Sequence, residues 1–214
     1  MSRILYDLAL ADEDVRPSPY CWVAKFALLH KGLRFETAAV PFADKSKYPD
    51  PEYGKVPVLV DNGEIVKDSL VIVAWLDKKF PDQPLTKTDG ERAASAFYSA
   101  WVGAALYPAL APMIIPRIVS VVSEADRNYF RTTREARFGK PLEEVAATPG
   151  VKERMEAALG VLSAPLAAYR YLGGATPNLS DYLVFAPFMW QRSVTEAMLY
   201  ETPKPVADWQ ARML

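Results

Sequence analysis

Three short runs in this sequence carry groups that could hold a small thiol-bearing peptide. Ser18-Pro19-Tyr20-Cys21 stands where an apolar run at helical spacing begins, so Ser18 suits an N-cap and Pro19 a first-turn position. Free backbone N–H groups and the helix dipole at such a point favour an anion, a thiolate included. A serine hydroxyl there can donate a hydrogen bond to a ligand's sulfur and lower that thiol's pKa. Gly54-Lys55-Val56-Pro57 leads from a loop into a strand. If the bond before Pro57 is cis, the Val56 N–H and C=O turn towards the first helix and can pair with an extended peptide. Asp68-Ser69 starts the next helix, where Ser69 and neighbouring N–H groups suit a carboxylate and Asp68 suits an ammonium. Taken singly, Ser18 and Asp68-Ser69 are ordinary helix caps. Taken together and in this order, the three anchors describe a site for a cysteine-containing tripeptide.

Composition removes several other chemistries. The 214 residues hold 25 basic and 26 acidic side chains, a formal charge of −1, which points to no nucleic-acid partner and no anionic membrane surface. A charge run such as Asp77-Lys78-Lys79 reads as a solvated helix face. Cys21 is the single cysteine and His30 the single histidine, so an internal disulfide, a metal site and a histidine-based triad are not expected. His30 itself suits the surface or the C-terminal end of a helix. The first residues lack the apolar run of a secretory signal, and the most apolar stretch, Ala104 to Val122, is interrupted by Pro108, Pro112, Pro116 and Arg117. No membrane span is expected, and the compartment expected is the cytoplasm.

The elements that must position these groups follow from periodicity. Arg3 to Leu8 reads as a strand, Pro19 to His30 as a helix stopped by Gly32, and Leu33 to Pro41 as a second strand parallel to the first. Ala43 to Tyr53 reads as a loop or short helix. Val56 to Asp61 and Glu64 to Lys67 form a hairpin about Asn62-Gly63, and Ser69 to Phe80 forms a helix. The order β-α-β, loop, β-β-α ends near residue 80, and Pro81-Asp82-Gln83-Pro84 opens a linker. Beyond it Gly90 to Leu106, Ile118 to Arg137, Gly150 to Leu172 and Ser180 to Leu199 read as helices, with the proline-rich stretch Tyr107 to Pro116 bending around a ligand. The fold class is α/β plus all-α. The expected division is residues 1–80, a linker at 81–87, and an all-helical domain at 88–214.

These runs resemble the glutathione transferase superfamily across essentially the whole chain. The resemblance rests on Ser18-Pro19-Tyr20 leading into Lys25 to Leu33, on Lys55-Val56-Pro57-Val58-Leu59, and on Asp68-Ser69 with Ile72 and Leu76. Gly173 to Tyr182 resembles the family's capping segment in the second domain, with Asn178 and Asp181 spaced as a capping box. The first domain is then thioredoxin-like. Redox members of that superfamily carry Cys-x-x-Cys where this chain has Ser18 and Cys21, so the nucleophile is expected to be the ligand's thiolate. Ser18 to Trp22, His30-Lys31-Gly32 and Asp61 to Ser69 are similar to the bacterial β-etherases of lignin breakdown and their fungal etherase-like relatives. That similarity implies displacement of a phenolate from an aryl ether.

By the same resemblance, glutathione is the co-substrate and Ser18 activates its sulfur. Val56, ahead of Pro57, pairs with the cysteinyl backbone, and Asp68 and Ser69 hold the γ-glutamyl end. Lys45 and Lys55 are candidates for the glycyl carboxylate, Lys55 the better placed. A small hydrophobic electrophile is expected between the domains, with Trp101 and Tyr107 as its contacts, and the chain is expected to form a homodimer. Two other functions compete with the transferase: a non-catalytic carrier or partner-binding protein, and a thiol–disulfide reductase using Cys21.

Overall fold

The computed structural model describes residues 2–214, and Met1 lies outside them. The first part of the chain forms β1 (Arg3–Leu8), α1 (Pro19–His30), β2 (Glu36–Val40), β3 (Val58–Asp61), β4 (Glu64–Lys67) and α2 (Ser69–Lys79). The strands lie in the order β2-β1-β3-β4, with β1 and β2 parallel and the other pairs antiparallel. This is the expected thioredoxin-like layer. Leu5 and Leu59, cross-strand partners on β1 and β3, are fully buried with Ala27 and Leu28 of α1 and Ile72 and Leu76 of α2.

Local chemistry explains where these elements begin and end. Ser18 caps α1 by accepting from the Cys21 N–H. At the other end Gly32 adopts φ +62, the Gly32 N–H bonds the Leu29 carbonyl and the Leu33 N–H bonds that of Leu28. This is a Schellman closure. It commits the backbone of Leu33 to the helix, so β2 starts at Glu36 and not at Leu33 as expected. The hairpin turn places Asn62 at φ +51 and Gly63 at φ +89, the type I′ geometry that matches strand twist.

The second part is all helical, as expected. It runs through α3 (Asp89–Trp101), a π-helical segment (Val102–Leu106), α4 (Tyr107–Ile118), α5 (Glu124–Phe138), α6 (Leu142–Ala146), α7 (Val151–Ala168), α8 (Leu179–Val194) and α9 (Lys204–Met213). The helix runs on through the prolines, so that Asp89 to Ile118 is one continuous helix. Pro108 cannot bond the Ala104 carbonyl, and its ring would crowd that group in a regular helix. The chain widens into the π turn there, with the Tyr107 N–H bonding the Val102 carbonyl. By length and composition this rod could cross a membrane, yet Leu106, Leu110 and Ile114 are fully buried in the helical core.

The expected helix from Ile118 to Arg137 starts later, because α4 ends at Ile118 and a turn separates it from α5 at Glu124. Ser123 opens α5 by accepting from the Asp126 N–H, while its own hydroxyl donates to the Asp126 carboxylate. α6 and α9 have no counterpart in the sequence reading. Asn178 and Asp181 form the expected capping box, and Asp181 does more than cap. Its carboxylate also accepts from the Leu172 and Gly173 N–H groups and from the Trp209 indole of α9, all at 2.8 Å. Close packing makes Gly173 obligatory, since a Cβ there would lie 2.6 Å from the Asn178 side chain.

One group expected at the surface, His30, joins the two parts, and its neighbour Lys31 ties α1 to α2. The His30 ring lies 2.8 Å from the Tyr182 hydroxyl on α8 and 3.3 Å from the Pro84 carbonyl. Lys31 is buried, bonding the Phe80 carbonyl at 2.8 Å and pairing with Asp77 at 2.6 Å. Asp77-Lys78-Lys79 is therefore no simple solvated face: Asp77 neutralises Lys31, and Lys79 pairs with buried Asp61 at 3.2 Å.

Candidate active site

The sheet register brings the three predicted anchors to one edge. β1 runs into the loop that ends at Ser18, and Tyr6 near its end is paired with Val58 at the start of antiparallel β3. Val58 in turn faces Lys67, the last residue of β4. The residues just outside the ladder, Val56 and Pro57 on one side and Asp68 and Ser69 on the other, thus share the sheet end from which α1 departs. The Val56–Pro57 peptide bond is cis. The Pro57 carbonyl accepts from the Asp68 N–H at 3.2 Å, tying the second anchor to the third.

Ser18 is 6% exposed. Its oxygen accepts from the Cys21 N–H at 3.3 Å, which leaves the hydroxyl proton free to donate. Beneath it Asp7, fully buried, makes an ion pair with Lys25, and Lys25 also lies 4.4 Å over the Trp22 ring. This pairing pins α1 to the end of β1. Cys21 is fully buried; burial pushes its thiol well above the ordinary range, and the charge of Asp7 pushes the same way. A neutral, enclosed thiol is a poor nucleophile.

Asp68 adopts φ +77 and ψ 139, a backbone region that costs a non-glycine residue about 1–3 kcal/mol. One carboxylate oxygen accepts from the Leu70 N–H at 2.9 Å and the Val71 N–H at 3.4 Å. The other oxygen faces no donor of this chain among the described residues. Ser69 beside it is buried. Lys45 and Lys55 separate in character. Lys55 is exposed, whereas Lys45 donates to the Tyr48 hydroxyl at 3.0 Å and leans over the rings of Tyr48 and Tyr129. Burial lowers the Lys45 pKa, and the positive charge of Arg134 adds to the effect.

A cavity of about 500 Å3 opens beside Ser18. Leu8, Pro19, Tyr20 and Phe42 line it from the first part of the chain, and Tyr107, Ile115, Phe130 and Trp190 line it from the second. Tyr107 stacks on Tyr20 at 6.0 Å between ring centroids and meets Trp190 at 6.1 Å. Burial raises the Tyr107 phenol well above its ordinary value, so it stays protonated at neutral pH. Of the two expected electrophile contacts, Tyr107 is in the lining and Trp101 is outside it. Trp101 instead packs edge-on against Tyr98 at 6.5 Å.

Sequence reasoning missed the wall supplied by α5. Phe130, Arg134, Arg137 and Phe138 all line the cavity, and their spacing of four, seven and eight puts them on one helix face. That stripe is readable in the sequence; the partner it faces is not.

Comparison with known proteins agrees with this architecture. Residues 14–84 match the family model "Glutathione S-transferase, N-terminal domain", and residues 93–211 match "Glutathione S-transferase, C-terminal domain". Glutathione S-transferase 1 of Dianthus caryophyllus is 37% identical over 89 residues, which span 39% of this chain and 40% of that protein. Glutathione S-transferase U22 of Arabidopsis thaliana is 28% identical over 190 residues, 85% of this chain and 75% of the other. Among solved structures, a Ceriporiopsis subvermispora glutathione S-transferase in complex with glutathione superposes with a TM-score of 0.78 at 26% identity, covering 91% of this chain and 86% of that one. The β-etherase LigF from Sphingobium sp. strain SYK-6 superposes with a TM-score of 0.68 at 22% identity, covering 100% and 95%, a likeness of fold. With both halves matched and a buried serine capping the first helix at the mouth of an aromatic cavity, the chain belongs to the glutathione S-transferase family.

Proposed function

We propose that this chain is a glutathione transferase in which Ser18 stabilises the glutathione thiolate for attack on a hydrophobic electrophile. The observation that carries the reading is the Ser18 hydroxyl, its proton uncommitted, at the start of α1 and on the wall of the cavity. Glutathione loses its thiol proton to solvent, and the Ser18 O–H and the helix dipole stabilise the sulfur anion. The sulfur forms a bond to the electrophilic carbon as the bond to the leaving group breaks, the leaving group taking the electron pair. Apolar walls exclude water and hold the carbon against the sulfur.

The remaining anchors follow. Val56, before Pro57, pairs with the cysteinyl backbone; Asp68 and Ser69 take the γ-glutamyl end, with the unused Asp68 oxygen on its ammonium; Lys45 or Lys55 serves the glycyl carboxylate. Tyr107 contacts the electrophile, and Trp101 acts from behind the lining. An aryl ether is one electrophile of the right class, its phenolate leaving beside the Tyr107 hydroxyl. The working division is a glutathione-binding domain at 1–80, a linker at 81–87 and a helical domain at 88–214. The exposed apolar side chains Leu70, Val71 and Phe97 make α2 and α3 the faces of a homodimer.

A reductase using Cys21 is disfavoured by the burial and raised pKa of that thiol. The test is a glutathione titration of the purified protein near neutral pH, followed by thiolate absorbance in the ultraviolet. A saturable signal that Ser18→Ala abolishes supports the reading. Binding without any thiolate signal in the wild type overturns it in favour of a carrier.

A further inference from the structure

The cavity beside Ser18 is lined mostly by apolar side chains, and its only charged lining residues among those described are Arg134 and Arg137. Neither forms an ion pair among the described residues, although ten other acid–base pairs are formed. Arg134 spends one donor on the Thr133 hydroxyl at 2.9 Å and lies over the rings of Phe130 and Phe42, at 4.7 and 5.7 Å from their centroids. A guanidinium has five N–H donors, so most of its hydrogen-bonding capacity is unused. Burial and the like charge of Arg137 both depress the Arg134 pKa, as expected for two cations sharing a wall with no carboxylate to neutralise them. The C-terminal carbonyls of α5 favour a cation near Arg137. They do not account for Arg134, a full turn earlier and facing the cavity.

We propose that Arg134 and Arg137 form an anion subsite, so that the electrophile is an aromatic molecule carrying a carboxylate or comparable oxyanion. The inference rests on the transferase reading above. Guanidinium groups bind planar carboxylates in fork geometry, and apolar walls carrying no acidic side chain strengthen the pairing. The ring of such a substrate sits among Phe42, Phe130, Tyr107 and Trp190, its anion at the arginines and its reactive carbon at the Ser18 end. The glycyl carboxylate of glutathione has the same chemistry, and Lys45 lies close enough to Arg134 to feel its charge. The experiment must therefore separate the two carboxylates.

Calorimetric titration with two conjugates does so: S-(4-carboxybenzyl)glutathione and S-benzylglutathione, which differ only by the distal carboxylate. The wild type is expected to bind the carboxybenzyl conjugate about tenfold more tightly, the effect of one charge-assisted hydrogen-bonded pair. Arg137→Met, at an exposed position, and Arg134→Met are each expected to erase that preference and leave S-benzylglutathione unchanged. Equal affinities in the wild type overturn the subsite while leaving the glutathione site standing. Equal weakening of both conjugates in the variants assigns the arginines to the glycyl carboxylate and overturns the proposal. If neither conjugate binds the wild type, the glutathione reading fails, and this inference fails with it.

Discussion

Two walls of one cavity are assembled in different ways. On the first, Ser18, Pro19 and Tyr20 are consecutive and take their positions from a single helix start. On the second, Tyr107, Arg134 and Trp190 come from α4, α5 and α8 and meet only because those helices pack together. In the proposed reading the first wall carries the thiol chemistry, and the second decides what reaches the thiol. A helix N-terminus needs only a cap, a proline and a strand feeding into it, so it survives wide change elsewhere. A wall drawn from three helices shifts whenever their packing shifts, which suits it to setting specificity.

Disrupting the packing beneath the second wall is expected to give the largest effect. Asp181→Ala orphans the N–H groups of Leu172, Gly173 and Asn178 and the Trp209 indole. A loss of about 3–5 kcal/mol, read from urea denaturation, is expected when several buried donors lose one acceptor. A loss under about 1 kcal/mol would mean that α9 docks independently of that carboxylate.

Ser18→Ala attacks the first wall alone. It is expected to lower kcat/KM for conjugation about 100-fold, the scale of one lost transition-state donor, and to cost only about 1 kcal/mol of stability as a lost N-cap. Near-normal turnover would show that the helix start suffices without the hydroxyl.

Tyr107 divides the second wall's contribution into ring and hydroxyl. Tyr107→Ala is expected to raise KM for an aromatic electrophile about tenfold, from lost stacking and apolar contact, with KM for glutathione unchanged. Tyr107→Phe is expected to stay within about threefold unless the phenol assists the leaving group, each tenfold being 1.4 kcal/mol.

The smallest effect belongs to His30, at the seam between the two parts. Burial lowers its pKa. A neutral ring donating from Nε2 to the Pro84 carbonyl can accept the Tyr182 hydroxyl at Nδ1, which a protonated ring cannot. The unfolded chain therefore binds the proton more tightly. The stabilisation is fully present above the ordinary imidazole pKa and is lost as pH falls through it towards the folded value. Thermal melts between pH 7.5 and 5.5 should show a decline that His30→Gln removes; parallel curves would assign the pH dependence to other groups.

Much of the first part was legible because its signals are local. Pro19 and Gly32 bracket α1 at the residues observed, and Asn62-Gly63 announces its hairpin. Leu33 reads as strand because its apolar side chain suits either state, and only the two hydrogen bonds closing α1 commit it. Further along, the prolines of α4 read as interruptions. The helix continues because the π turn relieves Pro108 while surrounding helices pack against the face of Leu106, Leu110 and Ile114. α6 is too short for periodicity to register. α9 earns its place through Trp209 and Val206, buried against distant helices.

The family resemblance rests on motifs in the amino-acid order, and the two-part layout and the serine at the start of the first helix follow from that order alone, because capping, turn chemistry and hydrophobic period act over a few neighbouring residues. Tertiary structure alone decided that His30 joins the two parts while Lys31 is buried against α2, that Tyr107 lines the cavity while Trp101 does not, and that two arginines without ion pairs line it too. Those facts depend on which helix faces meet, and that is settled by packing between segments up to 152 residues apart, beyond the reach of any local rule.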